Sequence, residues 1–356
     1  MNLSKLCFSV GLLLLIVFTN ACTPTDETPI TDYSSGVFIT NDGQFPAGTG
    51  TVSFYNRKSA ATDDIFGKEN GGVALGNTVQ SMTLYNGKAY IAVNNANKIV
   101  VADAKTFKNI ETITGLNYPN QFLPIDATRA YISEWGEKGI KGAVKMYDFA
   151  TKTISKTILT GGLGAGKMLK IGSFVWVVNN SGLSFPKQDS TIVLIDSDRD
   201  SVVSTIKVGA SPNSIVQDAN GEVWVLCSGG TLVKIRSGAV EAGYTFKVPA
   251  YSSKLTTDVT KSNLYFVGGD NKIYQKDLFN FGKTPPSVFL SPTYLTAPYA
   301  LDFDPKTGYL YCGDAKNYAS AGSLYIFDTA TKALKRFYKS GYRAQWVFVS
   351  VKIRGE

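Results

Sequence analysis

The chain reads as an all-β protein: a seven-bladed β-propeller closed by a C-terminal strand that completes the first blade. Three observations lead there. A strand-like run opened by an aromatic residue recurs along the 356 residues. Each copy is followed by further short apolar runs, with turn residues between. The first copy lacks a strand that the end of the chain has to spare.

In chain order, the N-terminus comes first. "MNLSKLCFSVGLLLLIVFTNACTPTDETP" sets Lys5 before an apolar stretch, Leu6 to Phe18, too short to span a bilayer with ordinary flanks. Ala21 then precedes Cys22, an order that resembles a bacterial lipobox, with Thr19 where an aliphatic residue is usual. Residues 1–21 are therefore expected to be a lipoprotein signal peptide and Cys22 the lipidated N-terminus. Several acyl chains on one residue give stable anchoring where a single chain does not. Residues 22–34 form a polar tether. Its Asp26 and Glu27 resemble an export signal, which implies an outer-membrane lipoprotein exposed at the cell surface.

The propeller is expected over residues 35–352. The opening aromatics are Phe38, Tyr90, Tyr131, Trp176, Trp224, Tyr265 and Tyr311, separated by 52, 41, 45, 48, 41 and 46 residues. Seven second runs follow them, from "TVSFYN" to "SLYIFDT". Asp103, Asp148, Asp196, Asp277 and Asp328 close five of these runs, where a short carboxylate can bond the backbone of the next turn. Repeats of this length built from several short strands mark a propeller. Each aromatic run is preceded by an innermost strand, such as "SMTLYN" or "ALDFDP", except the first. The spare "AQWVFVSV" at the C-terminus supplies it and shuts the ring, which removes two exposed sheet edges.

Composition narrows the chemistry. The chain has no His, which excludes His-based acid–base work, Ser-His-Asp triads and His metal sites. The net charge of +8 is spread without a basic run of five or more, so no nucleic-acid partner is expected. Cys227 and Cys312 sit in strand-like runs and are expected to be buried free thiols. "GGLGAGKM" has the glycines and Lys of a phosphate loop but Met168 where Ser or Thr is needed. "DSDRDS" lacks the Gly and distant Glu of a calcium loop and is expected to be a turn. No cofactor or metal is implied.

"GKAYIAVNNANKIVVADAKTF", "VGASPNSIVQDANGEVWVLCSGG" and "DPKTGYLYCGDAKNYASAGSLYIFD" resemble the YncE-like (YVTN-type) seven-bladed propellers, with the likeness nearest to bacterial surface lipoproteins of that fold. One type in that branch, the BtuG type, captures corrinoids and passes them to a TonB-dependent transporter. The resemblance implies a ligand-capturing lipoprotein with a corrinoid as the leading ligand, a TonB-dependent outer-membrane transporter as partner, and no catalytic residue.

Counting back two residues from the first aliphatic of each inner strand gives Gln80, Gln121, Lys167, Asn213, Ser253, Tyr299 and Gln345, at spacings of 41, 46, 46, 40, 46 and 46. These positions face the axial mouth. Six are neutral hydrogen-bonding residues and one is a cation, which suits a polar ligand with one anionic group near Lys167. The loops after the aromatic runs are longest in blades 1, 3, 4 and 7 and offer Phe45, Trp135, Phe185 and Tyr318 as flat contacts. The alternative is that these rings pack their own loops. Neighbouring connections add Tyr118, Tyr251, Tyr342 and Arg343. Two other functions fit the residues. A glycan lyase or hydrolase could use Lys167 and Tyr299 as base and acid. A protein-binding module could use the cleft between the long loops.

Overall fold

A computed structural model describes residues 32–43, 48–57, 61–279, 283–317, 321–339 and 352–353. They form seven antiparallel sheets of four strands each, the β-propeller expected from the repeat. Blades 2 to 7 are consecutive four-strand meanders, and their inner strands are Val79–Tyr85, Pro119–Pro124, Ala165–Ile171, Pro212–Gln217, Ser253–Thr257 and Pro298–Phe303.

Blade 1 is built from both ends of the chain. Val37–Asn41, Thr51–Tyr55 and Ala61–Thr62 are joined by Lys352–Ile353, which lies opposite Phe38 and Val37. The expected closing segment, "AQWVFVSV" at 344–351, falls outside the described residues. The observed pairing is made by the two residues after it and reaches Ile353, one residue past the expected boundary.

The second strand of every blade is buried along its whole length or nearly so, as in Val37–Asn41, Val223–Cys227 and Leu310–Asp314. A strand packed between two other sheets has no solvent face, so its sequence is a continuous apolar run. All seven repeat-marking aromatics are buried, the most accessible being Trp176 at 9%. The core is divided accordingly into seven clusters, each spanning two adjacent blades. One of them packs Val37, Ile39 and Tyr55 of blade 1 against Tyr311, Leu324 and Ile326 of blade 7, so the ring is closed by side chains as well as by the shared sheet.

The long first repeat has a local cause. Between blades 1 and 2 a short helix, Ile65–Glu69, buries Ile65 and Phe66, and Asp64 caps it by accepting from Gly67 N at 3.0 Å. The closing aspartates act as expected: Asp103 and Asp148 each accept from backbone N–H groups two and three residues on, at 2.8–2.9 Å. "DSDRDS" is likewise a tight turn. Asp196 accepts from Asp198 N at 2.9 Å, and Asp200 takes Arg129 at 2.8 Å together with the Tyr131 hydroxyl. Cys227 and Cys312 are buried and free.

Candidate functional site

The inner strands of blades 2 to 7 share one irregularity. Each carries a register shift at its entry, against the regular strand that follows. In blade 2 Val79 and Ser81 lie opposite Val93 and Ala92, leaving Gln80 over. Asn120, Asn213 and Tyr299 are left over in the same way. In blades 4 and 6 the shift runs from Ala165 to Met168 and from Ser253 to Thr256, and it contains Lys167 and Lys254. A bulge bends the strand and re-aims the extra side chain. Here six bulges surround one end of the axis, and a cavity of about 610 Å³ opens there.

Six of the seven rim residues expected from the sequence line this cavity: Gln80, Gln121, Lys167, Asn213, Ser253 and Tyr299. Gln345 falls outside the described residues. The expected phase is off by one residue in places. Gln121 follows the bulge, and Asn120 occupies it, because the first buried apolar residue of that strand is Phe122 rather than Leu123. Ser253 still pairs with Val267, and Lys254 is the residue displaced toward the axis.

Two rim amides are spent largely on the scaffold. Gln121 accepts from Met168 N at 2.7 Å and donates to Met168 O at 3.4 Å, tying blade 3 to blade 4. Asn213 donates to Ser228 Oγ at 2.5 Å and to Ser252 O at 2.8 Å, tying blade 5 to the next connection. Its Oδ1 is buried without a hydrogen-bond partner among the described residues. Ser81 and Thr83 make similar links to the backbone carbonyls of Asn120 and Phe122. The rim is therefore rigid, which limits the entropy lost when a ligand is held.

Of the loop aromatics, Trp135 lines the cavity and stacks on Tyr118 with centroids 6.1 Å apart. Gly136 sets its position: at φ +78°, an added Cβ would lie 1.7 Å from Lys141 O. The Trp135 Nε1 donor is buried and finds no partner among the described residues. Tyr251 also lines the cavity and is 78% exposed. Phe185 is 82% exposed and stands away from the lining, where Leu183 of the same loop takes its place. Leu183 N donates to Gly139 O at 2.8 Å, so the loops of blades 3 and 4 join into one ridge. Phe45, Tyr318, Tyr342, Arg343 and the lipidation residue Cys22 fall outside the described residues.

The charged part of the cavity was not anticipated beyond Lys167. Asp42, from the first long loop, and Lys254, from the blade 6 bulge, both line it, as does Asp302. Asp42 is 3% exposed, and its Oδ1 has no hydrogen-bond partner among the described residues. Burial raises its carboxyl well above the usual range, and the attraction of Lys254 opposes this without cancelling it. Burial also pushes the Lys254 ammonium down to about 7; Asp42 counters the shift and Lys167 adds to it by repulsion. Lys254 touches the cavity space yet is surrounded by protein at depth, so desolvation governs it. Its Nζ lies 5.0 Å from the Tyr299 ring centroid, and its φ is +59°. Asp302 accepts from Thr256 Oγ1 at 3.1 Å and from Phe303 N at 2.9 Å. The described residues contain no cluster of three or more potential metal ligands.

Comparison with known structures gives the same architecture. A quinonprotein alcohol dehydrogenase-like protein of Bacteroides thetaiotaomicron superposes with a TM-score of 0.68 at 16% identity, over 91% of this chain and 79% of its own. A candidate 6-phosphogluconolactonase of Bacteroides fragilis gives 0.65 at 10% identity, over 89% and 98%. Hydrazine synthase of Kuenenia stuttgartiensis gives 0.60 at 16%, over 74% and 86%. At such identities the likeness is one of fold, and a propeller fold alone assigns no chemistry. No curated protein matches the chain. A family profile does match, across residues 35–350, and the chain belongs to that family, described as Domain of unknown function (DUF5074).

Proposed function

We propose that this protein captures a polar small molecule at the axial cavity without transforming it, while anchored by lipid at Cys22 on the outer face of the outer membrane. The observation that carries this is the ring of six bulged strands, which sets amide, hydroxyl and Lys side chains around one cavity on a rigid frame. A corrinoid is the leading candidate, from the resemblance of the repeats to the surface propellers of the BtuG type. Trp135 and Tyr251, which line the cavity, would offer flat faces to the corrin ring, and the rim amides would meet its amide side chains. A TonB-dependent transporter would be the acceptor. Gel filtration of the mature protein mixed with cyanocobalamin tests this. Absorbance of the corrin should co-elute with protein, and a corrin peak wholly at the small-molecule position sinks the corrinoid reading.

One observation favours a second reading, an enzyme acting on surface glycans. Lys254 lies in the same cavity as a buried acid, Asp42, and titrates near neutrality, the property a general base requires. Release of new reducing or unsaturated sugar ends from a glycan panel, lost in Lys254→Met, would favour it over capture.

A further inference from the structure

We propose that a second cavity, at the foot of blades 7 and 1, binds a phosphate group carried by a small ester or by a lipid head. It stands apart from the axial cavity and does not depend on the capture reading.

The second cavity measures about 350 Å³, at the low end of the range of small-molecule sites. Strand Val37–Asn41 fixes its place. Asp42, which follows the end of that strand, lines the axial mouth, whereas Tyr55, paired with Val37 at its start, lines the second cavity. The two cavities therefore lie at opposite ends of the blades. The walls of the second carry the cations Arg57, Lys335 and Arg336 and no carboxylate. Two of these cations are already paired. Arg57 holds Asp304 at 2.7 Å, and Lys335 lies 3.2 Å from Asp328. Arg336 makes no ion pair with a carboxylate among the described residues. Its guanidinium bonds the Tyr338 hydroxyl at 3.2 Å, and the titratable groups acting on it are Tyr338, Tyr55 and Tyr311. Once Asp304 and Asp328 are set against Arg57 and Lys335, the charge of Arg336 stays on the wall.

A guanidinium presents its donors as a planar fork that fits phosphate and carboxylate oxygens alike. The directions from which donors come separate the two anions. Lys335 and Arg336 belong to the outer strand Leu334–Lys339, Thr307 and Tyr309 to the turn before Leu310–Asp314, and Arg57 to the turn after Thr51–Tyr55. A carboxylate offers two oxygens in one plane. A phosphate offers three that point apart, so it can meet donors from several sides at once. Tyr309, half-buried, adds a ring for the body of the ester. The chain enters Val37 at this same end, so under the lipid-anchor reading the cavity lies on the side of the tether. A phospholipid head is then one source of the phosphate and a soluble ester the other.

Isothermal titration and vesicle sedimentation of the mature chain carrying Cys22→Ser test the site, because this variant has no acyl anchor whether or not Cys22 is lipidated. The probes are phenyl phosphate, sodium benzoate, and phosphatidylcholine vesicles with and without phosphatidic acid. Phenyl phosphate should bind more tightly than benzoate. Arg336→Met should weaken it about tenfold or more through loss of the charged fork, with an unchanged melting curve because the side chain is exposed. Arg336→Lys, which keeps the charge without the fork, should restore only part of the affinity. Lys187→Met makes the same change of charge on the exposed blade 4 loop and should bind like the parent. Sedimentation with phosphatidic acid that Arg336→Met abolishes assigns the site to a lipid head. Binding of phenyl phosphate without such sedimentation assigns it to a soluble ester. Equal losses in Arg336→Met and Lys187→Met reduce the effect to net charge and overturn the site, as does binding untouched by Arg336→Met. Benzoate bound as tightly as phenyl phosphate overturns the phosphate assignment. Absence of both binding and sedimentation overturns the proposal, while the corrinoid experiment decides the axial cavity separately.

Discussion

The first blade is completed by strands from opposite ends of the chain, so the contacts that hold it against the last blade should be felt in stability. Arg57, just after the second strand of the head segment, reaches Asp304 at the end of the blade 7 inner strand. Nε lies 2.7 Å from Oδ2 and Nη2 3.3 Å from Oδ1, a two-pronged pair. The Asp304 side chain is 0% exposed and that of Arg57 12%. Arg57→Met keeps the aliphatic stem and removes the charge, leaving a buried carboxylate with the Tyr311 hydroxyl at 3.3 Å and Lys306 N at 2.9 Å. Breaking a buried pair costs about 3–5 kcal/mol, and the two surviving donors bring the expected loss to about 2–3 kcal/mol. At about 2.1 cal/mol/K per residue, a domain of this size unfolds with an entropy of about 0.7 kcal/mol/K, so Tm should drop by about 3–4 °C in calorimetry. Arg57→Met combined with Asp304→Asn should regain part of the loss, because no unpaired charge stays buried. A single variant melting within 1 °C of the parent (roughly the error of such a scan), or a double variant no better than the single, would refute the reasoning.

Three further outcomes are expected. Gln121→Leu removes both bonds to the Met168 backbone and should cost about 1–2 kcal/mol in urea unfolding. Unchanged stability with lost ligand binding would instead make Gln121 a contact residue. Lys254 loses its proton near pH 7 when folded, against 10.5 as its ordinary value, so between these limits the unfolded chain binds more protons and stability rises with pH. Asp42, whose carboxyl is raised, contributes the opposite slope above the ordinary carboxylate range. Lys254→Met should therefore stabilise the protein at pH 6 by about 1–3 kcal/mol and flatten the rise between pH 7 and pH 9. Parallel stability curves for parent and variant would contradict this. Cys22→Ser should move the protein from the membrane pellet to the soluble fraction and end incorporation of labelled palmitate; unaltered partition would remove the lipid anchor from the account.

The fold could be anticipated because one physical constraint is written seven times. A strand sandwiched between two neighbouring blades must be apolar on both faces, and the space between blades is filled by one large ring per repeat, such as Phe38, Tyr131 or Trp224. Ring closure was equally visible, since an unpaired strand at each end of a repeat array calls for a partner. The helix at Ile65–Glu69 was missed. It is barely longer than a turn and buries only Ile65, Phe66 and Gly67, too few positions for a helical period to show.

The site could be seen only as a ring, because its detail depends on register. Shifting a strand by one residue exchanges the side chains of its two faces, and a bulge does this locally without leaving a composition signature. Ser253 and Lys254 are neighbours in sequence, but one pairs with Val267 while the other is left over at φ +59°, a conformation that nothing about a Lys announces. Asp42 is further removed still. Its loop is polar, and Lys254, with which it shares the cavity, follows it by more than 200 residues. Local preference would put a lysine and an aspartate in water, yet here both are drawn into a cavity where desolvation opposes each charge. Disagreement between local chemistry and final position is expected where a site is built at the expense of stability. The ring of amide and hydroxyl side chains and the misfit pair of Asp42 and Lys254 line one cavity, so the residues that local preference would least place there are the ones that give it charge.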